Sequence, residues 1–201
     1  MSVSSKLLIG GTPKPTGSQV FTSSGTWVCP DYVYSVSAVC IGKGGNAGYF
    51  TDQQGATSYY WGGGGGGLGW RNNISVTPGQ SYTVSVGDSY FVSLGTVRGE
   101  NGDNGTVNFS GTGGSFAGEG GFTGGGGGGY TGGTVNRVPG GGGGAADYNA
   151  NGIDGDVGTG QGAGTGISGN NVGPYGGGGS AATVGNSGVV QIRWGASKDF
   201  P

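Results

Sequence analysis

Residues 62–67 are six consecutive glycines, bordered by Trp61 on one side and by Leu68, Gly69 and Trp70 on the other. Glycine loses more conformational freedom on folding than any other residue, so such a run stays ordered only if its backbone is held by something other than side-chain packing. Comparable blocks stand at 124–129, 140–144 and 176–179. A flexible linker of this composition would be bordered by Ser, Glu or Lys. Here the blocks meet Trp61, Leu68, Trp70, Phe122, Tyr130, Tyr148 and Tyr175. The pattern predicts ordered, closely stacked extended backbone punctuated by aromatic rings.

Glycine accounts for 57 of 201 residues and apolar residues for 32%, which leaves material for a small core only. Charged residues make up 9% and the formal net charge is −2, with the cations scattered singly. No basic patch is available to neutralise phosphates, which argues against nucleic acid as a partner. The chain has no histidine, the commonest general base and metal ligand, so the expectation is a protein that is not an enzyme and needs no cofactor. Cys29 and Cys40 suit either a disulfide between neighbouring strands or two small buried apolar residues. Near the N-terminus only Leu7, Leu8 and Ile9 form an apolar cluster, too short for a signal peptide or a membrane span, so neither secretion by a leader nor membrane insertion is expected.

Along the chain, residues 1–19 are turn-rich and extended, and the apolar trio Leu7, Leu8 and Ile9 suits an N-terminal arm that docks on a partner. Residues 20–201 form the second unit, a glycine-rich β domain. Strands are expected at 20–22, 26–29, 33–41, 81–87 and 188–195, with weaker candidates at 90–94 and 106–109. The 33–41 stretch alternates with period two and is rich in β-branched residues; one of its faces is the more apolar. Nothing from residue 20 onward predicts a helix, because no long stretch combines a 3.6-residue period with freedom from glycine. Glycines recur every three residues at 118, 121, 124 and 127, and every two from 158 to 166. A period of three is what a three-residue-per-turn extended helix requires where one backbone meets another; a period of two suits a strand pressed against its neighbour. The fold class expected is all-β: a small antiparallel β-sandwich carrying stacked, polyglycine II-like segments, without helix.

Several pieces occur in a particular order: Phe21 to Val28 with the Val-rich strand that follows, Pro78 to Gly87, the glycine blocks, and Gly188 to Gly195 with the terminal Phe200-Pro201. In this order the chain resembles the glycine-rich domain of bacteriophage tail-fibre and other virion proteins, over about residues 20–201. Similar domains in tail-tip adhesins of T-even-like phages pair a small β scaffold with packed polyglycine-type helices and present variable loops to the bacterial surface. The long N-terminal fibre-attachment domain of those adhesins has no counterpart in this sequence. The resemblance implies a virion protein whose partners are other virion proteins, of fibre or capsid, and a host surface receptor or glycan, with homo-oligomerisation possible.

The aromatic and polar stretches between glycine blocks are the candidate receptor site. Tyr59, Tyr60, Trp61, Tyr130, Tyr148 and Tyr175 stand beside Asp, Asn and Gln, and a sugar stacks its C–H face on such rings while its hydroxyls seek such polar groups. The competing reading is that each ring fills a gap beside glycine backbone. Asp147, Asn149 and Asn151, followed by Gly152, copy the first half of a calcium loop, but Gly158 stands where its bidentate Glu belongs; a turn rich in Asx residues explains the stretch more simply. Residues 100–105 are a weaker calcium candidate still, and Asn104-Gly105 suits a hairpin turn. No Gly-Lys-Ser/Thr follows any glycine block, so phosphate cradling is not indicated. Three functions remain: a receptor-binding adhesin, a capsid decoration or tail accessory protein without receptor binding, and an ice-binding protein, against which the irregular aromatic insertions argue.

Overall fold

A computed structural model describes residues 14–51, 58–106, 108–129, 142–155, 175–179 and 184–201. The described residues contain twelve strands and no helix. They are β1 (Gly17–Phe21), β2 (Gly25–Val28), β3 (Ser35–Ile41), β4 (Gly48–Thr51), β5 (Ser58–Trp61), β6 (Leu68–Ser75), β7 (Ser81–Ser85), β8 (Ser89–Phe91), β9 (Val97–Gly99), β10 (Phe116–Ala117), β11 (Gly120–Phe122) and β12 (Val189–Trp194). One sheet has the order β1-β12-β3-β6-β11 and a second the order β10-β9-β8-β7-β2, all antiparallel. The two pack face to face as the expected small sandwich. β4 and β5 form a hairpin of their own.

Between the sheets, Val36, Ala38 and Cys40 of β3 meet Trp27, Val84, Phe91 and Val97. Trp27 is the hub, with rings of Tyr82, Phe91 and Trp194 within 6 Å of its own. The opposite face of β3 is buried as well. Val39 and Ile41 pack with Leu68, Trp70, Ala146, Tyr148, Val189 and Phe200 in a second core. Full burial of both faces explains why Val39 and Ile41 stand on the face opposite the apolar Val36, Ala38 and Cys40, where a half-exposed strand would be polar. Cys29 and Cys40 are both buried and free, as small apolar residues of the first core.

A bulge fixes the second core. In β6, Ile74 pairs with Val36 but Arg71 pairs with Ala38, so Asn72 and Asn73 together oppose one residue, and Asn73 takes φ 54°. The Asn72 amide clamps the backbone of Phe200, accepting its N–H at 2.9 Å and donating to its carbonyl at 3.1 Å. Lys198 Nζ donates to Asn73 Oδ1 at 2.7 Å. The C-terminal tail thereby closes the outer face of the first sheet.

β3 and β6 also deliver the chain into the glycine region, and here the expected stacking takes a definite form. Residues 62–67 run through the centre of a bundle of extended segments. The N–H groups of Gly62 and Gly65 donate to residues 128 and 125, those of Gly63 and Gly66 to 179 and 176, and those of Gly64 and Gly67 to 103 and 100. Their carbonyls accept, in the same three pairs, from 111 and 114, from 143 and 146, and from 45 and 42. Each third residue thus addresses the same neighbour, the signature of a three-residue-per-turn extended helix. Six segments surround the central one, and hydrogen bonds between successive neighbours, from Gly102 to Lys43 around to Gly179 and Gly45, close the ring. Residues 152–155 and 184–187 add to its outside.

Two sequence-based expectations fail. Residues 100–105 are one of the six rim segments, so Asn104-Gly105 is not a hairpin turn: Gly102 and Gly105 donate to Lys43 and Asn46 of the adjacent segment. Thr106, Asn108 and Phe109 lie in a tight turn rather than a strand, with Thr106 N–H donating to Phe109 O at 2.8 Å. The period-two glycines from 158 to 166 and the arm residues Leu7, Leu8 and Ile9 lie outside the described residues.

Candidate functional site

The central segment leaves the bundle at Gly67 directly into β6, so that end is fused to the sandwich. Its other end, at Gly62, points away from the sandwich, and among the described residues no sandwich strand covers it. There the chain enters from β5, and there the rim segments 42–47 and 100–105 also end, the first in β4 and the second in the turn of Thr106, Asn108 and Phe109.

Two described features build this free end. The β4–β5 hairpin has Gly48 opposite Trp61, Tyr49 opposite Tyr60, and Phe50 opposite Tyr59. Its foot is clamped on the turn: a Cβ on Gly48 would lie 2.4 Å from the backbone of Gly105, so only glycine fits. The turn is stiffened by Thr106, whose hydroxyl accepts the N–H groups of Asn108 and Phe109 at 3.3 and 3.1 Å. That geometry turns Phe109 outward, 74% exposed. Val184 is exposed likewise as its segment starts back toward the sandwich.

Of the six candidate aromatic residues, the three whose side chains are described, Trp61, Tyr148 and Tyr175, do not form one cluster. Tyr59 and Tyr60 lie in β5 at the free end, with their side chains outside the described part, and Tyr130 lies outside it altogether. Trp61 is 9% exposed and belongs to the buried interior at the foot of the hairpin. Tyr148 is 8% exposed and sits at the opposite, sandwich end of the bundle. Its ring stacks on Phe200 at 6.0 Å and tilts against Trp70 at 6.2 Å, so it fills the second core and offers no face to a ligand. Tyr175 packs partly buried against that same core. Trp61 and Tyr148 are thus buried rings, and Tyr175 is partly buried. Phe109 was missed because it was assigned to a strand; the spacing of glycines at 102, 105, 111 and 114 is the signal that marks 106–110 as an excursion from the bundle.

The Asp147, Asn149, Asn151 stretch is an Asx turn. Asp147 Oδ1 accepts the N–H groups of Asn149 and Ala150 at 2.7 and 2.8 Å, and Asn151 Oδ1 accepts that of Thr123 at 3.0 Å. These oxygens point at backbone and do not converge on a common point for a cation. Among the described residues no three His, Cys, Asp or Glu side chains are grouped to hold a metal ion.

Among the described residues, the displaced pKa values lie at the sandwich and its junction with the bundle. Arg98 joins Asp88 at 2.9 Å and Glu100 at 2.7 Å, which raises its own pKa, the Asp88 hydrogen bond leading. The Ser115 hydroxyl, and then Arg98, hold the Glu100 carboxyl below its usual range. Lys198, and then Ser37, do the same for Asp199. Burial pushes the Tyr148 phenol up to about 12 and raises both thiols. These groups brace the sandwich and its junction with the bundle.

Comparison with protein-family models and with curated proteins finds no match for this chain.

Proposed function

We propose that this chain is a bacteriophage virion protein that acts as a receptor-binding adhesin, using the free end of its glycine bundle to engage a host cell-surface glycan or outer-membrane receptor. The observation that carries this reading is the asymmetry of the bundle. One end is fused to the sandwich; the other ends in the β4–β5 hairpin and in a braced turn that thrusts Phe109 into solvent. A rigid backbone bundle pre-organises what it carries, which reduces the entropy lost on binding. An isolated two-stranded hairpin is marginal in water, so its anchorage on the bundle fits a presented element better than a structural one. Tyr59, Tyr60, Tyr130 and Phe109 are the aromatic residues assigned to the site; Trp61, Tyr148 and Tyr175 are not.

The test is adsorption of purified protein to host cells and its competition with phage. Phe109→Ser and replacement of Tyr59 and Tyr60 by Ser should each abolish competition while leaving the melting temperature within a few degrees. Full competition by both variants would sink the adhesin reading in favour of a capsid decoration or tail accessory role.

A further inference from the structure

The end of the sandwich farthest from the bundle carries a second candidate surface. β3 starts there at Ser35, β12 ends there at Trp194, and β1 starts there at Gly17, opposite Trp194. A cleft of about 450 Å3 opens between these strand ends, with Lys14, Tyr32, Tyr34, Ser35 and Lys198 in its wall. A second cleft of about 400 Å3 adjoins it, sharing Thr16, Ala196 and Lys198 and extending to Arg193.

Three features set this surface apart from ordinary polar exterior. Tyr32 and Tyr34 are 58% and 66% exposed, both in the wall of the first cleft, and Tyr32 is held at φ 64°, a conformation costly for a bulky residue. The Ser35 hydroxyl oxygen is out of solvent and has no hydrogen-bond partner among the described residues. Lys14, Arg193 and Lys198 gather three of the eight cations of a chain whose net charge is −2. Lys198 is paired with Asp199 at 2.6 Å, which leaves Lys14 and Arg193 to meet a partner; Arg193 lies over the Phe200 ring and donates to Gln191 at 3.2 Å, and Asp31, beside Tyr32, lines neither cleft.

We propose that these two clefts are a docking surface for an extended segment of another protein, in which carboxylates alternate with apolar side chains. The apolar side chains enter between Tyr32 and Tyr34, the carboxylates meet Lys14 and Arg193, and a backbone or side-chain group of the segment completes the hydrogen bonding of Ser35. Charge complementarity selects an acidic occupant, and Tyr and Arg are among the residues enriched at protein interfaces. The surface lies at the pole opposite the free end, so it is independent of what that end binds.

The probe is a blocked hexapeptide alternating Val and Asp, with a Val/Lys peptide as control, titrated into the full chain while amide NMR shifts of residues 32–35 and 195–198 are followed. Saturable shifts with the acidic peptide and none with the basic one are expected. Lys14→Glu and Tyr34→Ser, both at exposed positions, should each weaken binding about tenfold, as losing one of few contacts does. No shift up to millimolar peptide, or equal response to both peptides, overturns the proposal. A concentration-dependent dimer that Tyr34→Ser abolishes assigns the surface to a second copy and overturns it as well. So does tighter peptide binding after removal of residues 1–13, which assigns it to the chain's own terminus.

Discussion

A Cβ placed on Gly65 would stand 1.8 Å from the carbonyl oxygen of Gly144, and one on Gly64 the same distance from that of Thr112. Both obstacles are backbone held by the bundle, so neither can yield. Gly65→Ala is therefore expected to cost about 3 kcal/mol or more, or to prevent folding. Gly95 has open space around it and an ordinary φ. Gly95→Ala should stabilise by about 0.5 kcal/mol through the unfolded chain. Urea titration of the two variants decides whether backbone contact, rather than glycine as such, is what position 65 demands. At Tyr148 the question is the opposite, because its hydroxyl is buried without a partner among the described residues. Tyr148→Phe should leave stability at pH 7 unchanged or raise it by about 1 kcal/mol. The phenol titrates near 12 in the folded chain and near 10 when unfolded. The unfolded state therefore loses its proton first, and stability present below pH 10 falls as pH rises from 10 to 12. Buried Cys40 adds a loss of the same sign. Alkaline unfolding followed by absorbance should move to higher pH in Tyr148→Phe; an unmoved midpoint would refute the linkage.

Single elements depend on a similar economy of contacts. Rim segments with non-glycine residues divide their three positions among three neighbours. In residues 100–105, Gly102 and Gly105 face the central segment, where a Cβ would meet Gly64 O at 2.1 Å and Trp61 O at 2.3 Å. Asn101 and Asn104 accept the N–H groups of Lys43 and Asn46 at 2.9 and 2.7 Å, and Glu100 and Asp103 accept the hydroxyls of Ser115 and Thr112. Asn151 and Asp154 repeat the device toward Thr123 and Gly126. β6 is the element on which both halves of the molecule meet, and its bulge holds the tail. Phe200→Ala should cost about 3 kcal/mol and Asn72→Ala about 1 kcal/mol. Because the amide clamp serves the ring, the double variant should cost less than the sum, as denaturant titration of all three would reveal. β3, β7 and β12 were legible because β-branched residues and period two mark them. β6 was not: Gly69 and the polar Arg71-Asn72-Asn73 run interrupt its alternation, and its start looks like the end of a glycine block. The bundle was legible in kind but not in plan. Of the period-three glycines at 118, 121, 124 and 127 only the last two lie in the bundle, the first lying between β10 and β11 and the second in β11, and the central segment shows no period at all, since with neighbours on every side each of its positions must be glycine. Tyr148 looked like a displayed ring because its partners Trp70 and Phe200 are far from it in sequence.

Across the whole molecule, two different solvents of burial coexist. The sandwich removes apolar side chains from water, while the bundle removes peptide groups and replaces their hydration by the N–H to C=O bonds of the ring. Exposure of apolar surface raises the heat capacity and exposure of polar surface lowers it. The heat capacity change on unfolding should fall clearly below the usual value of about 12 cal/mol/K per residue, giving a flat stability curve in calorimetry. A value at or above that figure would mean that the glycine region is not buried as described. The central segment also continues into β6 without a break, so bundle and sandwich should unfold together, and the amides of residues 63–67 should exchange only through global unfolding.

The three-residue repeat of the hydrogen bonds limits how the length of this chain can change. Inserting one residue in a rim segment turns everything beyond it by a third of a turn and drives a side chain into the central backbone. Inserting three restores every face and merely lengthens the segment. Length differences within the bundle must therefore come in threes, while the loops at its free end are released from that arithmetic and can grow or shrink by any number. The same scaffold can thus carry new loops without being redesigned.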